Sequence, residues 1–178
     1  MQRPDLGGFG GAWDWWLGFS EWGRSSVIYI EEHLRFGDSR AAVVIEADPI
    51  YVAAYTDELD CVAMLKFEPS EISLSELKVG QKLVTINTYD FTPGLGSDLH
   101  PGPGATGRFV NFHPLIADFL TDDGEPLCER KQTIGKDEWR RAFELGKEYR
   151  RLYPSMFRPG RAVHSFHATS DLTHKPTS

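Results

Sequence analysis

The chain has 178 residues, 40% of them hydrophobic, 12% aromatic and 25% charged, with a formal net charge of −7. That length fits one compact domain with tails and is enough for a sizeable core, and the aromatic content excludes a wholly disordered chain. No apolar run is long enough to cross a bilayer as a helix, and Met1 to Gly8 place no apolar stretch behind a basic end, which argues against a secretory leader.

The charge is unevenly spread. Residues 1–128 hold 20 acidic and 8 basic side chains, whereas residues 129–161 hold 10 basic and 5 acidic ones. This asymmetry predicts a basic C-terminal helix docked beside an acidic body, or a basic segment that meets an acidic partner. A nucleic-acid interface would use Arg140, Arg141, Lys147, Arg150 and Arg151, against the repulsion of a phosphate backbone by the acidic body. Cys61 lies in an apolar run and reads as a core residue, while Cys128 lies in a polar stretch. Two cysteines without a CxxC pair make no disulfide framework and point to a reducing, cytoplasmic setting.

Residues 1–24 form a segment rich in glycine and aromatics. Gly7, Gly8, Gly10 and Gly11 surround Phe9, and Trp13, Trp15, Trp16, Phe19 and Trp22 follow. So many indoles in water are a liability, so the segment either covers the domain's own core or anchors a partner through Trp13, Trp15, Trp16 and Phe19.

A single α+β domain is expected over residues 25–158. Val27–Phe36 alternates as a strand does, with a helix as the competing reading because Val27, Ile30 and Leu34 also match helical spacing. Strands are expected at Ala41–Ala47, Ile50–Thr56, Cys61–Phe67 and Lys82–Tyr89, separated by short turns that favour an antiparallel meander. Residues 90–113 read as a long irregular loop, His113-Pro114 as the start of a short helix to Leu120, and Asp122-Asp123-Gly124 as its end. From Asp137 to Tyr153, Trp139, Ala142, Phe143, Gly146, Tyr149 and Tyr153 recur at helical steps, and Pro154 stops the pattern. Residues 159–178 carry few apolar side chains and read as a flexible tail. The expected fold is therefore α+β: an antiparallel sheet of about five strands, a meander or partly closed barrel, packed against a C-terminal amphipathic helix.

Connection lengths alone gather Asp38, Asp57, Glu58, Asp60 and Asp90 at one end of such a sheet. Acids there solvate hairpin turns, and Asp57, Glu58 and Asp60 are also a candidate docking face for a basic partner. No Asp-x-Asp-x-Asp-Gly pattern supports a calcium loop, and neither a metal nor a cofactor is expected. Gly102-Pro103-Gly104-Ala105-Thr106-Gly107 matches the GxGxxG spacing but lacks the strand before and the helix after that a dinucleotide cradle needs. An enzyme reading, with a small hydrolase as its example, would take His113 as acid or base, Asp90 or Asp60 as its orienting carboxylate and Arg108 as an anion clamp. No nucleophile motif accompanies them. The functional expectation is thus a non-enzymatic protein-interaction or binding module for a protein partner or a second copy, with the enzyme and nucleic-acid readings as alternatives.

Overall fold

The computed structural model describes residues 30–68, 77–89, 95–106, 111–120 and 124–160. Within them an antiparallel sheet carries three helices. The strands are β1 (Asp38–Ala47), β2 (Ile50–Thr56), β3 (Cys61–Phe67), β4 (Lys82–Tyr89), β5 (Leu99–Pro101), β6 (Phe112–Ile116) and β7 (Arg158–Pro159). The helices are α1 (residues 30–36), α2 (Gly124–Thr133) and α3 (Lys136–Leu152). The sheet order is β5-β3-β2-β1-β4-β6, and β7 runs parallel to β3 beside β5 on the same edge.

The central strands are hydrophobic on both faces because both faces are covered. All seven residues of β2 are buried. One face carries Ala42, Val44, Val52, Ala54, Cys61, Ala63, Leu65 and Leu83, and the sheet curls around this set with Phe112, Ile116 and Phe119. The other face carries Ala41, Val43, Ile45, Tyr51, Ala53, Tyr55, Val62 and Met64, and α3 covers it with Trp139, Ala142, Leu145 and Tyr149. Period-2 alternation sends successive side chains to opposite faces, so one strand serves two cores.

Four of the expected strands and the C-terminal helix are present, and the fold is the expected α+β sheet with α3 packed on it. Three elements differ. Residues 30–36 are a helix, because Ile30 and His33 share one face and are both buried there. The expected irregular stretch 90–113 contains β5, which pairs with β3 at Cys61–Ala63. The expected helix after His113 is strand β6 followed by a 3-10 turn at Ala117–Phe119. β6 is an edge strand, where proline is tolerated, and Pro114 sits opposite Asn87. The tryptophan-bearing residues 1–24 lie outside the described residues, as do 161–178. Pro159 pairs with Lys66, and the Gly160 amide donates to the Lys66 carbonyl at 2.6 Å.

A bulge in β1 positions α3. Val44 faces Val52 and Glu46 faces Tyr51, so Ile45 is the extra residue and Glu46 turns to the helix side. Ile45 then fills the space under Gly146. A Cβ on Gly146 would stand 2.5 Å from the Ala53 Cβ and 2.6 Å from the Ile45 Cδ1. Gly146→Ala should therefore lower stability by about 1–3 kcal/mol through overpacking, despite a gain of about 1 kcal/mol in helix propensity; urea unfolding curves measure the sign.

Candidate functional site

The meander brings the start of β1, the β2–β3 turn and the end of β4 to one end of the sheet. Asp38 pairs with Asn87 in the β1–β4 ladder, and Thr56 with Cys61 across the turn. Three of the acids there, Asp38, Asp57 and Asp60, are already matched with cations. Arg40 reaches Asp38 at 2.6 Å and Asp57 at 2.7 Å. Glu58 and Asp57 are exposed. Asp60 is buried, with a φ of 44°. Aspartate tolerates that left-handed backbone better than most residues.

Asp60 is the centre of this end. Its Oδ1 accepts from the Tyr55 hydroxyl at 2.8 Å, and its Oδ2 accepts from the Gly104 amide at 2.7 Å. Arg141 of α3 approaches both oxygens, at 3.3 and 3.0 Å. The Asp60 carbonyl accepts from the Gly102 amide at 2.6 Å. The glycine-rich run thus cradles an anion, and that anion is the chain's own carboxylate. A Cβ on Gly102 would lie 2.5 Å from Asp60 Oδ2, and one on Gly104 would lie 3.0 Å from it. Burial and the bond to Asp60 both push the Tyr55 phenol above its ordinary range.

Inside the curl, this end is polar but satisfied. Thr85 donates to Asn87 at 2.8 Å, and Asn87 donates to the Tyr55 carbonyl at 2.9 Å. The Thr56 and Tyr89 hydroxyls are 2.9 Å apart. Burial pushes the Tyr89 phenol up to about 12 and the Cys61 thiol up to about 12, so Cys61 carries no reactive thiolate near neutrality.

The other long-range polar centre lies where the two ends of the sheet meet. Arg158 donates to both oxygens of Asp98, at 2.5 and 2.8 Å, to Asn111 Oδ1 at 2.5 Å and to the Phe112 carbonyl at 2.6 Å. The Tyr149 hydroxyl of α3 donates to the Asp98 carbonyl at 2.8 Å. The Arg158 hydrogen bonds hold the Asp98 carboxyl below its ordinary value, with further help from His113 nearby.

His113 is half-buried on β6 opposite Thr88, and its carbonyl is 2.8 Å from His33 Nε2. Its expected companions Asp90 and Arg108 lie outside the described residues, and Asp60 is committed to Tyr55, Gly104 and Arg141. The cations of α3 mostly face this chain's own acids. Arg141 meets Asp60, Arg150 grips Glu46 at 2.8 and 3.2 Å while lying 3.7 Å over the Tyr51 ring, and Arg140 reaches Asp137 at 2.8 Å. Arg151 lies 3.9 Å from Glu148, and Lys147 lies 5.5 Å over the Phe143 ring.

One surface feature escaped the sequence reading. Leu152, Tyr153 and Phe157 are exposed, at 42%, 42% and 40%. The helical stripe runs on to Tyr153, but the helix stops at Leu152 and Tyr153 leaves the core. The turn is tied by the Met156 amide donating to the Tyr153 carbonyl at 3.1 Å. Tyr153 packs edge-on against Tyr149 and His100, with ring centroids 5.7 and 6.0 Å away. Phe157 packs edge-on against Tyr51 at 5.8 Å, under the Lys66 ammonium at 5.4 Å. Pro154 after the stripe was the available signal that the last aromatics are outside the helix.

Among the described residues no cluster of His, Cys, Asp or Glu could hold a metal, and no helix is long and apolar enough to cross a membrane. Comparison with known proteins finds no match: no family model matches the chain, nor does any curated protein or solved structure.

Two tests follow from these polar centres. Asp60→Asn keeps the shape but turns an acceptor toward Gly104 and Arg141 into a donor, and should cost about 1–3 kcal/mol in urea unfolding. Asp98 has a folded pKa below its unfolded one. Its contribution is therefore complete above about pH 4 and is lost as pH falls through the folded value. Stability measured between pH 6 and 2 should fall more steeply in the native chain than in Asp98→Asn.

Proposed function

We propose that this protein is a non-catalytic binding module, and that it engages a protein partner through the aromatic turn 152–157 after α3. The observation that carries this reading is the exposure of Leu152, Tyr153 and Phe157 within six residues of chain. Exposed aromatics in a patch of this kind mark interaction sites, and tyrosine is enriched among the residues that dominate binding energy. The fitting partner is a segment that combines an apolar anchor with carboxylates. Arg151 is 72% exposed beside Leu152, and Lys66 stands over Phe157, so cations rim the apolar centre. Trp13, Trp15, Trp16 and Phe19 are candidate second anchors for the same partner, and a cytoplasmic location belongs to the same reading. The face formed by Asp57, Glu58 and Asp60 contributes less to it, because Asp57 and Asp60 already have cationic partners within the chain.

Selection of a random peptide library displayed on phage tests the proposal. Enriched peptides should carry an aromatic or aliphatic residue flanked by Asp or Glu, and their synthetic versions should bind the Tyr153→Ala, Phe157→Ala double variant at least about tenfold more weakly. The Trp15→Ala, Trp16→Ala double variant measures the share of the N-terminal segment. Equal binding by the native chain and the Tyr153/Phe157 variant would overturn the reading. So would self-association of the native chain in sedimentation experiments that this variant abolishes, since the turn would then serve a second copy.

A further inference from the structure

We infer that the curled sheet opens at one seam, between β5 and β6, and that Arg158 is the latch that holds the seam shut. This goes beyond the binding reading and does not rest on it. Every other junction in the strand order is a backbone ladder, with from three register pairs at β3–β5 to seven at β2–β3. β5 and β6 are the two ends of that order, and no strand pairing joins them among the described residues. Among the described residues, the Arg158 side chain makes hydrogen bonds across the gap.

Arg158 lies on β7, on the β5 side, and its bonds to Asn111 Oδ1 and the Phe112 carbonyl cross to the β6 side. Its two bonds to Asp98 hold the guanidinium in position for that crossing. β7 itself is two residues long and pairs with β3 at Leu65 and Lys66, and Gly160 adds a further backbone bond to the Lys66 carbonyl. At the other end of the gap, the Phe67 and Phe119 rings meet edge-on at 4.9 Å, an apolar contact that confines the opening to the Asp98–Phe112 end.

A ladder must lose several backbone bonds together before it parts, whereas this latch parts when one side chain swings away. Segments with few backbone bonds open locally at free energies below that of global unfolding. Leu99, Cys61 and Phe112 pack together in the core inside the curl, all buried. Cys61 pairs with Pro101 of β5, the strand on one side of the gap, and packs in the same core as Phe112 on the other. It is therefore a built-in reporter of the seam, and the exposed Cys128 on α2 is an internal control.

The experiment is alkylation of the full chain by iodoacetamide, followed by intact mass, at several urea concentrations below the unfolding transition. Cys128 should react first. Cys61 should then react at a rate almost independent of urea, the signature of local opening. Arg158→Ala should raise that rate by about tenfold or more, with no equal rise in the global unfolding rate, because charged hydrogen bonds are lost. Arg158→Lys, which cannot span the fork of acceptors, should raise it less. If Cys61 labelling of the native chain follows the urea dependence of global unfolding, the latch does not exist. If Arg158→Ala fails to fold, Arg158→Lys carries the test: Cys61 labelling no faster than in the native chain would overturn the latch.

Discussion

The carboxylate of Asp60 is the point at which three distant parts of the chain are held together. Tyr55 comes from β2, Gly104 from the loop after β5, and Arg141 from α3. A buried carboxylate is costly unless donors surround it, and a charged partner close by offsets more of that cost. Here the donors are a hydroxyl, an amide and a guanidinium, one from each element. The arrangement explains features that look unrelated in the sequence. Gly102 and Gly104 exist because the backbone must come within side-chain contact of the carboxylate. The left-handed conformation at Asp60 aims that carboxylate back over the turn toward α3. The resemblance of the glycine run to a phosphate cradle is then physical, but its occupant is internal.

The same economy governs the charge distribution. An amphipathic stripe fixes which side of α3 faces the sheet, but it leaves the helix free to slide along its axis. Two ion pairs remove that freedom. Arg141 meets Asp60 at one end of the sheet, and Arg150 meets Glu46 at the other. They are nine residues apart on α3, about 13 Å along the axis. The β1 bulge is what makes the second pair possible, because with regular alternation past Ile45 the Glu46 side chain would share the face of Val44 and point into the curl. On α2, Lys131 pairs with Asp118, and Arg130 donates to the Ser39 hydroxyl and carbonyl at 2.7 and 2.5 Å. The basic C-terminal third therefore acts as stitching for the acidic sheet, which leaves less of its charge for a nucleic-acid backbone.

How much of this was legible depended on whether the cause was local. The meander was readable because its turns are short and its strands β-branched, and the gathering of Asp38, Asp57 and Asp60 followed from it. The α3 stripe was readable because helical spacing repeats over seventeen residues. Residues 30–36 were ambiguous because seven residues fit both periods, and only the burial of His33 against β4 and β6 decides them. The strand at Phe112–Ile116 was hidden by Pro114, which suits the first turn of a helix as well as the edge of a sheet. Arg158 and Asp98 gave no signal at all. They are sixty residues apart, and their meeting depends on how far the sheet curls, which no local pattern encodes.

The connection from α3 to β7 carries both the exposed aromatics and the latch. Residues 153–157 lead directly into Arg158, so Phe157 cannot keep its contacts with Tyr51 and Lys66 if β7 lifts from β3. A partner gripping Tyr153 and Phe157 in their present positions would therefore favour the state in which β7 stays on β3, the position from which Arg158 reaches Asn111 and Phe112. A ligand shifts such an equilibrium only by its difference in affinity for the two states. Here that difference has a structural source, one peptide bond from the latch. Linkage requires the converse as well: a ligand that lifts β7 from β3 weakens the partner by the same factor. Partner binding and the seating of β7 would then act on a single short segment, while the Asp60 centre across the sheet holds α3 in place.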